Sequence, residues 1–227
     1  MKITQICDNT WCFEEEIVRF FLLVGTEKAL LIDSGMETKN AKELAESVTD
    51  LPIELINTHA DGDHVASNEE FTSFYMHPLE AHNYFDLHGG KGTLVPVEEG
   101  TILDLGDRKV EIIALPGHTS GSIGILDLNT RMLFIGDTVQ DSNIYMFGEE
   151  RKLEPYMESL RHLMTYQDRF DGLYPSHGTC PLDASILPKL LDGAQKILSG
   201  EAVAEPVNIH GMDIHLYRFD YAGFYRP

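Results

Sequence analysis

His59-Ala60-Asp61-Gly62-Asp63-His64 stands directly after the strand-like run Ile53-Glu54-Leu55-Ile56-Asn57. These six residues place four side chains able to bind a divalent metal within one short turn. Two carboxylates this close repel one another, and a cation between them removes the repulsion. The alanine and glycine spacers let the backbone bend so that several side chains converge. Taken alone, the same letters also describe a polar loop, so the metal reading needs further ligands from elsewhere in the chain.

Three more strand-like runs end in comparable turns. Lys109 to Leu115 leads into Pro116-Gly117-His118-Thr119, Met132 to Ile135 into Gly136-Asp137-Thr138, and Gly172 to Tyr174 into Pro175-Ser176-His177-Gly178. A lone histidine after a strand is commonly a loop or capping residue. Four such turns, each flanked by Gly or Pro, are hard to assign to chance. Together they offer enough imidazoles and carboxylates for two metal centres sharing a bridging aspartate.

Between these turns the pattern is mixed. Ile17 to Val24 and Ala29 to Asp33 read as a strand pair around the turn at 25–28, and Gly121 to Leu128 as a further strand. Ala41, Leu44, Ala45 and Val48 recur at helical spacing, as do Leu153, Tyr156, Leu160 and Leu163 behind Pro155. Asp183 is placed as the N-cap of a helix carrying Leu187, Leu190, Ala194 and Ile197 and stopped by Gly200. A helix is expected near Val65 to Phe71, a surface loop from His82 to Gly92, and a strand or hairpin between Val207 and Tyr225. The order predicts an α/β chain of two similar halves, each a mostly antiparallel sheet with outer helices. The halves would stack as a four-layer α/β/β/α sandwich, one domain over 1–227, with the site along one edge.

Composition narrows the function. Thirty-seven acidic against seventeen basic residues give a formal charge of −20. That field disfavours a nucleic-acid partner, whose binding draws on Lys and Arg against phosphate. No apolar run approaches a membrane span, and the N-terminus lacks an apolar signal core. Three cysteines, an odd and sparse set, point to a reducing cytoplasm. A small-molecule substrate fits these constraints, with Arg131 or Arg151 available to an anionic group.

Five segments in fixed order carry a resemblance to the metallo-β-lactamase superfamily of dinuclear metallohydrolases. They are Leu31-Ile32-Asp33-Ser34-Gly35, Thr58 to His64, Leu115 to Ser122, Phe134 to Thr138 and Ser176-His177-Gly178. The resemblance implies that His59, Asp61 and His118 hold a first metal and Asp63, His64 and His177 a second. Asp137 and a water or hydroxide would bridge them, and Asp33 would be a supporting acid. It implies two divalent ions, zinc first, with iron or manganese as alternatives. The implied activity is hydrolysis of an ester, thioester, lactone or related bond, with Asp63 and Asp137 as catalytic groups.

The chain departs from that family at one ligand. The usual motif is His-x-His-x-Asp-His, and Asp61 stands at its second position. With a third carboxylate, two ions and a hydroxide sum to about zero charge, against about +1 for the usual set, which weakens the centre as a Lewis acid. An oxygen-rich first site tolerates iron or manganese, or stays weakly filled. Two rival readings follow: a non-haem diiron redox protein acting on oxygen, nitric oxide or a sulfur compound, and a metal-stabilised, non-catalytic binding module. A glyoxalase II type thioesterase usually carries an extra C-terminal helical domain, and ribonuclease-type members need a basic surface; both are set back. Asn143 to Gly148, apolar and aromatic, either lines the pocket with Tyr145 as an oxyanion donor or packs as an ordinary loop. His77, His82, His88, His162, His210, His215 and Cys180 are taken as background.

Overall fold

The computed structural model describes residues 1–227. Seven strands form the first sheet in chain order: β1 (Lys2–Cys7), β2 (Thr10–Glu14), β3 (Arg19–Val24), β4 (Ala29–Ile32), β5 (Ile53–Ile56), β6 (Ser73–Met76) and β7 (Thr93–Pro96). Helix α1 (Ala41–Glu46) crosses between β4 and β5. Strands β1 to β4 pair antiparallel, and β4 to β7 pair parallel. This sheet is therefore half parallel rather than mostly antiparallel.

The second sheet holds β8 (Ile102–Asp104), β9 (Lys109–Ala114), β10 (Ile123–Asp127) and β11 (Met132–Gly136). The chain then forms β12 (Asn143–Tyr145) and α2 (Leu153–Thr165) before β13 (Gly172–Pro175) joins the second sheet, parallel to β11. Last come α3 (Ile186–Ser199), β14 (Ala204–Ile209), β15 (Met212–Arg218) and β16 (Gly223–Arg226). The last three strands and β12 make a small third sheet, which the sequence pattern did not predict beyond a tail hairpin.

Side-chain alternation along the strands sets the layers. Phe21, Leu23, Leu30 and Ile32 of the first sheet pack with Val110, Ile112, Ile123, Ile125 and Phe134 of the second. Their neighbours Phe20, Leu22, Ala29 and Leu31 face the other way, onto Ala41 and Ala45 of α1 and onto Phe74 and Tyr84. On the far side, Ile113, Leu133 and Ile135 meet Tyr156, Leu160, Leu187 and Leu190 of α2 and α3. This is the expected α/β/β/α order. Strands β4 and β10 are buried on both faces, which is why they read as continuous apolar runs. Each fully buried Leu, Ile or Phe stabilises the stack by about 1.5–3 kcal/mol. Helix α3 ends where Gly200 turns to φ +77°.

Two local expectations fail. Residues 65–71 hold only a 3₁₀ turn, Asn68–Glu70. Polar side chains win there over helix: the Asn68 carboxamide bonds Asn57, the Ser34 hydroxyl donates to Asn68 Oδ1, and the Ser67 hydroxyl donates to the Thr38 carbonyl. Residues 82–87 are a π-helical segment rather than a surface loop, because Asn83 and Tyr84 turn inward.

Candidate metal centre

Parallel pairing of β4 with β5, and of β11 with β13, carries four strand C-termini to one edge of the sandwich. Asp33 follows β4, the His59–His64 turn follows β5, Asp137 follows β11 and His177 follows β13; His118 follows β9. The turns are tightly joined. Ile123 N–H donates to the Thr58 carbonyl at 2.9 Å and Ser176 N–H to the Gly136 carbonyl at 3.1 Å. At Gly117, φ is +137° and an added Cβ would lie 2.3 Å from the Tyr156 Cα, so only glycine lets the His118 turn approach α2. Buried Glu80 clamps the two histidine turns together: its carboxylate accepts from Ala60 N–H and from Gly121 N–H, both at 2.8 Å.

All seven side chains expected as ligands gather there, in two groups. Asp63, His64, Asp137 and His177 form one, and His59, Asp61 and His118 the other; within each, the ligand atoms lie within 4.8 Å of one another. Each histidine is oriented through Nδ1. His64 Nδ1 meets Asp33 Oδ2 at 2.8 Å, His177 Nδ1 the Ile17 carbonyl at 2.6 Å, His118 Nδ1 the Tyr145 carbonyl at 3.2 Å and His59 Nδ1 the Thr58 hydroxyl at 3.1 Å. These oxygens assign the proton to Nδ1 and turn every Nε2 toward the aspartates. Asp33 also accepts from Thr58 N–H and its hydroxyl, at 2.7 and 2.8 Å, so its own position is fixed.

The spacing suits a metal. His64 Nε2 is 3.3 Å from Asp137 Oδ1, and His177 Nε2 is 3.1 Å from Asp63 Oδ2 and 3.3 Å from Asp137 Oδ2. In the other group, His118 and His59 Nε2 are 3.3 and 3.5 Å from Asp61 Oδ2. Tetrahedral ligands about 2.0–2.1 Å from zinc stand roughly 3.4 Å apart. His59 Nε2, His64 Nε2 and Asp137 Oδ1 are buried with no hydrogen-bond partner. Orphaned polar atoms of this kind are costly unless something fills the space between them. The donor set therefore fits divalent ions, and Asp137 stands between the groups, its Oδ2 also 3.8 Å from His118.

Charges reinforce the convergence. Burial alone would raise the Asp137 and Asp61 carboxyls. The facing histidines outweigh it, His177 and His64 for Asp137, His118 and His59 for Asp61, and hold both well below the carboxylate range. Burial likewise opposes charge on His177 and His64. Asp137 and Asp63 nevertheless push His177 up to about 10, and Asp63, Asp137 and Asp33 lift His64 well above its ordinary value. His118 goes the other way, because burial outweighs Asp61.

Asp61, Asp63, His118, Asp137 and His177 line a cavity of about 990 Å³, with His59 and His64 buried behind them. Tyr145 of β12 lines it, its ring 5.3 Å from Phe147 and 5.1 Å from Tyr225. His88 and His210, set aside as background, also line it. Cys180 instead packs against the core between the sheets, where burial pushes its thiol up to about 11. Arg131 is away from the cavity, paired with Asp171. Arg151 is at its floor, its Nη2 against Asp61 Oδ2, while Asn83 Nδ2 donates to Asp61 Oδ1 at 3.2 Å. From sequence Arg151 is available only to an anionic group, and no periodic signal points to Asn83 or Glu80.

Comparison with known proteins agrees with this fold. The family model of the metallo-beta-lactamase superfamily matches residues 15–192. The chain belongs to that superfamily and is one of its hydrolases. It resembles the acyl-coenzyme A thioesterase MBLAC2 of Homo sapiens, 22% identical over 69% of this chain and 71% of that protein. It also resembles a hydroxyacylglutathione hydrolase of Maricaulis maris, 30% identical over 47% of this chain and 40% of that one. Among solved structures, a metallo-beta-lactamase from Pontibacter korlensis superposes with a TM-score of 0.74 at 20% identity, covering 86% of this chain and 98% of its own. At that identity the likeness shows the fold alone.

Proposed function

We propose that this protein is a metal-dependent thioesterase acting on a small acyl thioester. The observation that carries the reading is the convergence of four imidazole Nε2 atoms and three carboxylates beside one open cavity, which five of the seven residues line. The thioesterase among its relatives, matched over 71% of its length, supports the choice of bond.

In this reading Asp63, His64, Asp137 and His177 hold one divalent ion, and His59, Asp61 and His118 are the donors for a second, with Asp137 shared. Zinc is the first choice on donor type and spacing, before iron or manganese. When bound, such ions supply Lewis acidity and bring the pKa of a water toward neutrality. The protein's own part is to position and to move protons. Asp33 holds the His64 ring in register through Nδ1. Asp63, partly open to the cavity, offers its carboxylate to take up the proton of the attacking water. Tyr145, kept protonated as burial and Tyr225 raise its phenol, offers a hydroxyl to the developing oxyanion. A thiol of pKa about 8.5 leaves as thiolate without a proton donor, whereas an amine does not, so the ionised carboxylates of this floor suit a thioester better than an amide.

Residues 1–227 act as one domain in this reading, because the inter-sheet core and both donor groups draw on both sheets. Three free cysteines suit a reducing cytoplasm. The deciding experiment is a substrate panel on protein of measured metal content: acyl-N-acetylcysteamine, acyl-coenzyme A, lactoylglutathione, a lactone, a β-lactam and a phosphodiester. Thioester turnover should disappear on chelation and return with zinc. Turnover that survives complete metal removal, or a clear preference for the β-lactam or phosphodiester, sinks the assignment.

A further inference from the structure

We infer that the Arg151 guanidinium competes with a metal ion for the His59–Asp61–His118 group, so that the two groups fill unequally and in order. The inference rests on reading the seven residues as ligands. Its starting point is a single atom. Asp61 Oδ2 is the oxygen that faces His59 Nε2 at 3.5 Å and His118 Nε2 at 3.3 Å, and it is the same oxygen that Arg151 Nη2 contacts. An ion seated among those three donors would share its carboxylate oxygen with a fixed positive charge.

Neither side chain can easily turn away. The other Asp61 oxygen already accepts from Asn83. Arg151 is held from behind: Lys152 N–H donates to the Gly117 carbonyl at 2.9 Å, beside His118, and Arg151 Nη1 reaches the Phe147 carbonyl. The Arg151 Nε is buried without a partner, and Asp61 is the one carboxylate the guanidinium meets. Charge counting points the same way. With neutral imidazoles, one aspartate and one arginine already balance, and the three-residue group needs no ion. The four-residue group has two aspartates, and no Lys or Arg lies within 4.0 Å of either; their ionic partners are all histidines. The carboxylate at the second motif position and the arginine thus form a unit, in which protein charge stands where a neutral imidazole would have left room for a cation.

The test is a zinc titration of the full, metal-stripped chain against a competing chromophoric chelator, with bound metal counted by mass spectrometry. Wild-type protein should bind one ion tightly and a second at least about a hundredfold more weakly. Arg151→Ala should tighten the second at least about tenfold and leave the first within about threefold. Arg151→Lys, which keeps the charge, should stay near wild type, and a thermal melt of each variant checks folding. Two ions of equal affinity in wild type, unchanged by Arg151→Ala, would overturn the inference while leaving the metal centre intact. No tight ion in wild type at all would overturn the metal centre itself and the inference with it.

Discussion

Asp63, His64, Asp137 and His177 come from three strand ends and both sheets, whereas His59, Asp61 and His118 come from two, with a loop arginine laid across them. In the first group the aspartates lift His64 and His177, so the metal-free group stores protons at neutral pH. In the second, burial holds His118 down and Arg151 supplies the positive charge instead. The same residue types at similar spacing thus answer their own electrostatics in opposite ways. What decides between proton, guanidinium and metal is the ratio of carboxylates to fixed cations around each group, rather than the count of ligands.

The contrast can be broken most directly at Asp137. Asp137→Ala removes the carboxylate facing His64, His177 and His118, and it should lower thioester kcat/KM by about a thousandfold or more and abolish tight zinc uptake. Retained uptake would show that the four-residue group is not the primary site. Asp33→Asn is milder. Asp33 sits at φ +64°, a backbone geometry asparagine tolerates, so the change chiefly removes the negative charge and puts an NH2 group where one of the two oxygens accepts from Thr58 or His64. Tight zinc affinity should fall about 10–100-fold with the weaker event unmoved; an equal fall at both would erase the distinction between groups.

The stored protons give a pH signature. His177, raised from an ordinary value near 6.5 to about 10, contributes stability that is fully present below about pH 6.5 and lost as pH rises through about 10. His64 is shifted the same way. Metal-free protein should therefore melt several degrees lower at pH 10 than at pH 7, on the scale of about 4 °C per kcal/mol or less for a chain of this size. Zinc-loaded protein, whose protons the ion has displaced, should show a flatter profile, and parallel profiles would remove the link. Smallest is Tyr145→Phe, expected to lower kcat by about tenfold or less with KM little changed. A change in KM alone would make the phenol a wall of the cavity and nothing more.

The donors were legible because each sits where a strand stops. His118, Asp137 and His177 follow apolar runs and are bracketed by Gly or Pro, and the same rule exposed the His59–His64 turn. The four-layer stack was legible too, from doubly buried strands such as Ala29–Ile32 and from the helical spacing of Leu153 to Leu163. Arg151, Asn83 and Glu80 were not. They act on Asp61 and Ala60 across 90, 22 and 20 residues, and nothing local marks a loop arginine as destined for a particular aspartate. The segment 82–87 misled for a related reason: it lies in a glycine-containing stretch with no clear period, yet Asn83 and Tyr84 point inward. Residues 65–71 misled because helical periodicity carries no record of side chains that bond the backbone of a neighbouring turn.

Asp63 and His177 are separated by 114 residues and Asp61 and His118 by 57, so neither donor group exists in any local stretch of the chain. Closing such long loops is entropically slow, and it must precede any benefit from an ion. During synthesis the N-terminal half emerges carrying His59 to His64 but lacking His177. The four-residue group is then assembled only once His177 has left the ribosome, 114 residues after Asp63. Zinc uptake by that group should accordingly begin only after His177 has emerged, with shorter nascent chains taking up none tightly.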